Sequence, residues 1–232
     1  MPVTLAELLD SRDKRVEHQK DLLGANPGKS LLCLTVQLPG PEKRNDTSLK
    51  IANAGVEAVR KAFVPVYEEH RDLETGYEAY FLVDLPAKEA KRRTCQIEDT
   101  HPLGRLMDID VLYKPQPVST FPPVSGNYFS GRSPKNQFPE TSTNPTHTEE
   151  STNPPVVENY FSQDFAKNQF PTTSTEPTHI VGRADIGFPP RKCLLCDNEV
   201  RYCMRAKLHT KDELLSRIEQ MLKEYELQAT NP

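Results

Sequence analysis

Residues 104–112 read GRLMDIDVL, and this stretch decides the fold class that the sequence predicts. Apolar and acidic residues alternate in it, which is typical of a β-strand with one buried face, here over residues 106–113. Side chains two residues apart on a strand point to the same side of the sheet. Asp108 and Asp110 are therefore expected to project together, while the apolar residues beside them face a core.

Two carboxylates at this separation suit a divalent cation. Mg²⁺ takes one or two carboxylates together with phosphate oxygens, and a glycine shortly before the pair, here Gly104, lets the backbone approach a triphosphate. The arrangement resembles the nucleotidyltransferase superfamily, which implies a metal-bound triphosphate that loses diphosphate. A bare D-x-D sequence is also common, however, and two surface aspartates on an edge strand remain an alternative.

Helical and extended patterns alternate on both sides of this strand. Thr4 with Glu7 and Thr210 with Glu213 form capping-box pairs at two of the predicted helix starts. The predicted helices cover residues 5–23, a segment from Asp46 or Thr47 to residue 63, a segment beginning at Pro86, and the chain after Thr210; further strands cover residues 30–38 and 77–84. This order predicts an α/β (α+β) fold with a nucleotidyltransferase-like mixed sheet flanked by helices.

Residues 116–180 differ in composition from the rest of the chain. They contain 10 of the 21 prolines and 18 Ser or Thr, but no Leu. Residues 127–147 and 159–179 within them agree at 15 of 21 positions, and two copies are too few for a solenoid. Such a sequence buries little apolar area, so we predict a disordered insertion, with duplicated partner-docking motifs as the alternative. Residues 1–115 and 181–232 would then form one domain.

Charge and cysteine content narrow the class of protein. A net charge of −4 argues against a general nucleic-acid or membrane binder, either of which would want a basic surface. No run of 18 apolar residues exists, and the N-terminus lacks the pattern of a signal peptide. Five cysteines that form no dense framework indicate reduced thiols and a cytoplasmic location.

Several basic residues are nevertheless available to neutralise a polyphosphate. Each of them taken alone is also compatible with a solvated surface charge. The turn around Gly40, followed by Lys43, suits either a phosphate-facing loop or a plain tight turn. The candidates are Arg12, Arg15, Lys43, Arg105, Arg183, Arg191 and Lys192.

Short motifs in a fixed order make the sequence similar to a known family. They run from residue 11 to residue 209, and only the insertion departs from the pattern. The motifs are SRD at 11–13 with Arg15, PGP at 39–41 with Lys43, Asn53 with Gly55, HPLGRLMDIDVL at 101–112, PPRKCLLC at 189–196, and Lys207 with His209. Together they resemble the citrate lyase phosphoribosyl-dephospho-CoA transferases, also called holo-citrate lyase synthases.

The resemblance implies a specific reaction. The family transfers a phosphoribosyl-dephospho-CoA group from 2′-(5-triphosphoribosyl)-3′-dephospho-CoA to a serine of the citrate lyase acyl-carrier subunit, and diphosphate leaves. Asp108 and Asp110 would then hold Mg²⁺, while Arg105 and other basic residues grip the β- and γ-phosphates. Asp185 is the candidate for a third carboxylate, with Asp84 in reserve.

His101 is a candidate general base for the carrier serine, because a free histidine has a pKa near 6.5. The same residue precedes a proline, so a capping histidine is the alternative. Two other functions also stay open: the equivalent transferase for the malonate decarboxylase carrier, and a zinc-stabilised adaptor that binds a partner through the duplicated segment.

The remaining feature is a group of cysteines followed by a histidine. Cys193, Cys196, Cys203 and His209 are ligand types that suit a tetrahedral zinc site. The segment of residues 193–208 is predicted to be helical or a tight loop, and a helix would make the first two thiols small packing residues. Packing is the interpretation that we favour from the sequence, with structural zinc and a redox pair as alternatives.

Overall fold

Five antiparallel strands form an open sheet in the computed structural model, which describes residues 2–115 and 177–230. The strands lie in the order β2-β3-β1-β4-β5, and all four pairings are antiparallel. The strands are β1 Ser30–Val36, β2 Pro65–Leu73, β3 Gly76–Val83, β4 Met107–Tyr113 and β5 His179–Val181. The α+β form of the predicted fold class is confirmed, although the mixed sheet expected from the sequence is antiparallel at every described pairing.

The helices begin close to where the capping patterns placed them. Thr4 and Glu7 form the predicted capping box, whereas the second helix is capped by Asn45, whose side chain accepts from the backbone N–H of Ser48. Pro86 is the N-cap of the third helix rather than its first residue. The α-helices are α1 Leu5–Ala25, α2 Asp46–Ala62, α3 Ala87–Thr100, α4 Val200–Ala206 and α5 Lys211–Thr230.

The two faces of the sheet carry separate cores. On one face, Leu34 and Ile109 pack with residues of α2, α3 and α5 in the larger cluster. On the other face, α1 contributes Leu23 to a smaller cluster with Leu31 and Tyr80. Because β4 alternates, Asp108 and Asp110 lie on the α1 side of the sheet, and the residues between them lie in the larger core.

Two strands were missed by the sequence analysis. β2 reads PVYEEHRDL and is an edge strand that pairs with β3 alone among the described residues, and each of its residues is exposed or half-buried. β5 begins at His179, one residue before the predicted end of the insertion at residue 180, and pairs with β4. Residues 116–176, with most of the predicted insertion and its repeat, lie outside the described residues. Within the described parts of the chain, no helix is long and apolar enough to cross a membrane.

Candidate active site

The aspartate pair lies on the part of β4 that is not paired with β5. β5 pairs only with residues 111–113, so the outer edge of the strand beside Asp108 and Asp110 has no strand partner among the described residues. On the inner side, Asp108 lies opposite Thr35 and Asp110 opposite Cys33 of β1. Both side chains are half-buried on the same face, as the alternation predicts.

Two buried charged side chains of α3 form hydrogen bonds with the backbone of β4 at this unpaired edge. Glu98 accepts a hydrogen bond from the backbone N–H of Ile109 at 2.9 Å, and Lys91 Nζ donates to the carbonyl of the same residue at 2.9 Å. Lys91 is 4% exposed and Glu98 is 1% exposed. The peptide groups between the two aspartates are thus held by a helix, and the sequence analysis did not identify either side chain as a site residue.

Two of the predicted phosphate-binding arginines are engaged in holding the fold together. Arg183 bonds Glu98 at 3.0 Å and Asp99 at 2.6 Å. Arg191 Nη1 lies 3.3 Å from Asp108 Oδ1, and the same guanidinium donates to the carbonyl of Met107. These contacts fasten the segment after β5 to α3 and β4.

Arg105 differs from both of these arginines. Its Nε is buried and has no hydrogen-bond partner among the described residues. Burial, together with the positive charges of Arg191 and Arg183, lowers the pKa of its guanidinium. Asp99 only partly offsets this shift, and a cation held near two other cations is suited to binding an anionic ligand.

One cavity of about 710 Å³ joins the acidic and basic candidates. Asp108, Arg105, Arg191 and Lys43 all line it. Lys43 Nζ donates to the carbonyl of Leu38 at 2.6 Å, and burial lowers the pKa of its ammonium group. With Lys207, which also lines it, the cavity offers one carboxylate and four cationic side chains of the described residues to a single ligand.

Asp110 lies two residues beyond Asp108 on the same face of β4, is not among the residues that line the cavity, and is in an electrostatically unfavourable position. Burial raises the pKa of its carboxyl group, and the negative charges of Asp108 and Glu98 raise it further. Lys91 and Arg15 oppose this shift. The negative charges of the ionised pair are thus only partly offset by nearby cations. A bound divalent cation would offset them further.

The basic residues of α1 lie over another part of the same face. Arg15 Nε is 3.0 Å from Glu78 Oε1, and the side chain lines a separate cavity of about 460 Å³ with Ser11. Arg12 is exposed on the same helix. Arg15, one of the predicted donor-binding residues, acts on the aspartate pair through its positive charge, which lowers the pKa of Asp110, and not through a direct contact.

The structure does not bring the other acid–base candidates into the main cavity. His101 caps the C-terminus of α3, accepts from the backbone N–H of Leu103 through Nδ1, and lines a third cavity of about 360 Å³. Asp185 accepts from the backbone N–H of Gly182 in its own turn. Asp84 pairs with Lys29 at the opposite end of the strands. The capping alternative for His101 is therefore the one observed.

Backbone conformation or close packing explains why glycine occupies each of the two candidate positions, Gly40 and Gly104. Gly40 has a φ of +95°, and a Cβ there would meet Lys211 Cε at 2.9 Å. Gly104 is buried where the chain passes the end of α3, and a Cβ would lie 2.4 Å from the carbonyl oxygen of Ile97. Close helix packing, rather than an approach of the backbone to a phosphate, accounts for Gly104 in this structure.

Substitution of Gly104 by Ala should destabilise the protein by about 1–3 kcal/mol, the usual cost of forcing an atom into a packed site. The clash is with backbone carbonyls, which cannot move as a flexible side chain would. Urea unfolding followed by circular dichroism measures the change. Gly187→Ala is a suitable comparison because no atom lies within 4 Å there, although its φ of +74° adds backbone strain of its own. A Gly104→Ala protein as stable as wild type would contradict this packing argument.

The cysteine group is assembled in space. Cys193 and Cys196 lie in a bend before α4 and not in a helix, so the local structure behind the packing interpretation is absent. The ligand atoms of Cys193, Cys196, Cys203 and His209 all lie within 4.8 Å of one another. Three of these four residues also line the main cavity.

Comparison with known proteins assigns the chain to a family. The profile of the apo-citrate lyase phosphoribosyl-dephospho-CoA transferases matches residues 3–120 and 173–225, which include every element that lines the main cavity. The chain belongs to this family. The resemblance drawn from the short motifs is thereby confirmed, and the protein is a transferase.

Individual relatives agree with this assignment. The transferase is 29% identical over 225 residues to the apo-citrate lyase phosphoribosyl-dephospho-CoA transferase of Escherichia coli O1:K1 / APEC, covering 95% of this chain and 88% of that protein. It is 24% identical over 227 residues to a probable enzyme of the same name from Streptococcus pyogenes serotype M18, covering 95% and 85%. The similarity therefore extends over nearly the whole transferase.

Proposed function

We propose that this transferase moves phosphoribosyl-dephospho-CoA from 2′-(5-triphosphoribosyl)-3′-dephospho-CoA to a serine hydroxyl of the citrate lyase acyl-carrier subunit. The serine oxygen forms a bond to the α-phosphorus of the donor and gives up its proton to solvent, the bond from the α-phosphorus to the bridging oxygen breaks, and diphosphate leaves. The observation that carries the proposal is the shared cavity of Asp108, Arg105, Arg191 and Lys43. It offers the cationic surroundings that a departing diphosphate requires.

Asp108 and Asp110 would hold Mg²⁺ in this reaction. They fit such an ion because both carboxylates lie on one face of β4 and because the pKa of Asp110 is raised by burial and by its acidic neighbours. A bound Mg²⁺ would neutralise charge on the donor phosphates and on the leaving group. The held peptide of Ile109 keeps the two carboxylates in a fixed relation.

The basic residues divide into two roles. Arg105 and Lys43 would bind the terminal phosphates, since the first has a buried Nε without a partner and the second bonds a single carbonyl. Arg191 would position Asp108, to which it is already paired. His101 and Asp185 lie outside the cavity, and we give them no part in the transfer.

The decisive experiment is the mass of the carrier subunit after reaction. The purified full chain is incubated with donor, Mg²⁺ and apo-carrier of either citrate lyase or malonate decarboxylase. We expect the citrate lyase carrier to gain the mass of one prosthetic group and to release one diphosphate, and a carrier with its serine changed to Ala to gain nothing. An unmodified citrate lyase carrier would refute the proposal, and selective modification of the malonate decarboxylase carrier would favour that alternative.

Replacement of Arg105 by Ala should raise the KM for the donor about 10- to 100-fold, because a charge-assisted phosphate contact contributes roughly 1.5–3 kcal/mol. Stability should change little, since the Nε of this side chain makes no hydrogen bond within the described parts of the chain. Initial rates at varied donor concentration measure the effect. Arg92→Ala, an exposed arginine on α3, is the matched control. Equal kinetics for the two variants would remove Arg105 from the donor site.

A further inference from the structure

We propose that Cys193, Cys196, Cys203 and His209 bind one structural Zn²⁺ ion that fixes the outer wall of the main cavity. The inference comes from the arrangement of these four side chains and does not depend on the identity of the carrier or the donor.

The distances between the ligand atoms match a tetrahedral site. Cys196 Sγ lies 3.5 Å from Cys203 Sγ and 3.3 Å from His209 Nε2, and all four ligand atoms fall within 4.8 Å of one another. Zinc bonds of about 2.3 Å to sulfur and 2.0–2.1 Å to nitrogen place tetrahedral ligands roughly 3.5–3.8 Å apart. Only small side-chain movements separate this arrangement from coordination.

The local backbone is shaped to present these ligands. Lys192 and Glu199 form a β-bridge, and the backbone N–H of Cys193 donates to the carbonyl of Asn198 at 2.7 Å. This closed hairpin carries the first two cysteines. The third cysteine lies one turn into α4, and Lys207, the C-cap of that helix, has a φ of 49° that turns the chain toward the histidine.

The hairpin also favours a thiolate at its first cysteine. The backbone N–H of Leu195 lies 3.5 Å from Cys193 Sγ as a donor. Backbone N–H groups that donate to sulfur support the charged form that a metal requires.

Four protein ligands leave no open position for a substrate or a water molecule, which is the arrangement of structural zinc sites. Packing is a poorer account of the cluster, because Cys193 and Cys196 are only half-buried and lie outside any helix. A disulfide between Cys196 and Cys203 is the competing chemistry, since all five cysteines are unpaired and these two sulfurs are neighbours.

The proposed ion lies next to residues of the main cavity. Cys193, Cys203 and His209 line that cavity, and Arg191, which pairs with Asp108, is two residues before the first ligand. α4 has only seven residues, and few described apolar side chains anchor it: Cys203 is its one buried residue. Zinc would hold this short segment, and with it Arg191, against β4.

The test uses the full chain purified with a reductant and without a chelator. Elemental analysis should find one zinc per chain, and exchange for Co²⁺ should produce the charge-transfer and ligand-field absorption of a thiolate-rich tetrahedral site. His209→Cys should keep the metal because it completes a Cys₄ site, whereas Cys196→Ser should lose most of it. Cys95→Ala, which removes a buried cysteine of α3 outside the cluster, is the control and should keep one zinc.

Three outcomes would overturn the proposal. They are a wild-type protein that takes up no zinc when Zn²⁺ is supplied under reducing conditions, a Cys196→Ser protein with full zinc content, and a Cys196–Cys203 disulfide in protein kept reduced. If Cys196→Ser does not fold, the wild-type zinc content and Co²⁺ spectrum still decide. Zinc present in a protein without transferase activity would refute the proposed function and leave this site intact.

Discussion

An Asp110→Asn protein is expected to lose about a thousandfold in carrier-modifying rate and to be more stable than wild type at neutral pH. The loss follows if this carboxylate helps to hold Mg²⁺, since metal stabilisation of transition-state charge amounts to several kcal/mol and each 1.36 kcal/mol is a tenfold change. The gain in stability follows from the position of the residue. Burial and the charge of Asp108 raise the pKa of Asp110, so its ionised form is a cost to the folded state.

The raised pKa of Asp110 determines the direction in which stability should change with pH. The pKa of Asp110 is raised above the 3.8 of an unperturbed aspartate, so the folded protein binds the proton more tightly than the unfolded chain. The contribution of Asp110 to the free energy of unfolding should therefore fall as the pH rises from 3.8 through the raised pKa. The Asn variant should lack that decline, and urea unfolding at acidic and neutral pH measures the difference.

Asp84→Asn is the matched control for this substitution. It removes a carboxylate paired with Lys29 at the far end of the sheet, and we expect its transfer rate to remain within twofold of wild type. Added Mg²⁺ should raise the melting temperature of wild type and of this control but not that of the Asp110 variant, because only a metal that binds the folded state stabilises it. Full activity of Asp110→Asn in the presence of Mg²⁺ would show that the metal assignment is wrong.

The central strand and the general character of the site were predictable from sequence because both depend on local pattern. The alternation around Asp108 fixes a strand with one buried face wherever that strand lies in a sheet. Arg105 adjoins this strand in the sequence, but the approach of Lys43 to it could not be predicted from local pattern, since it depends on where a loop passes over the sheet. The ion pairs that Arg183 and Arg191 form with α3 and β4 could not be predicted either. The sequence around an arginine does not show which carboxylate it will contact in the fold.

The misses involve residues whose sequence pattern resembles something else. α3 reads as a polar helix, so Lys91 and Glu98 look like solvated charges although both are buried. A polar edge strand such as β2 needs no apolar alternation, because solvent covers much of it. The stretch CLLC at 193–196 resembles a helical stripe, yet the chain folds back there into a hairpin. In each case a tertiary contact, absent from local sequence, decided the outcome.

Replacement of Glu98 by Ala is expected to lower the free energy of unfolding by about 3–5 kcal/mol, the usual cost of breaking a buried ion pair. Glu98 bonds Arg183 at 3.0 Å through one carboxylate oxygen and the backbone N–H of Ile109 at 2.9 Å through the other. Both partners would lose a buried acceptor, and Arg183 would keep Asp99 as its anionic partner together with the carbonyl of Pro189. For a domain of this size, the melting temperature should fall by roughly 10 °C.

Glu89→Ala on the same helix separates this effect from the general loss of an ion pair. Glu89 pairs with Arg93 at the surface, where such a pair contributes less than about 1 kcal/mol. Glu98→Gln should fall between the two, because the amide oxygen can still accept from Ile109 but the charge opposite Arg183 is gone. Equal unfolding free energies for the Ala variants at 89 and 98 would contradict the anchoring role. If instead the Gln variant folds stably yet transfers slowly, Glu98 acts by holding the peptide between Asp108 and Asp110 and so maintains the spacing of the metal-binding carboxylates.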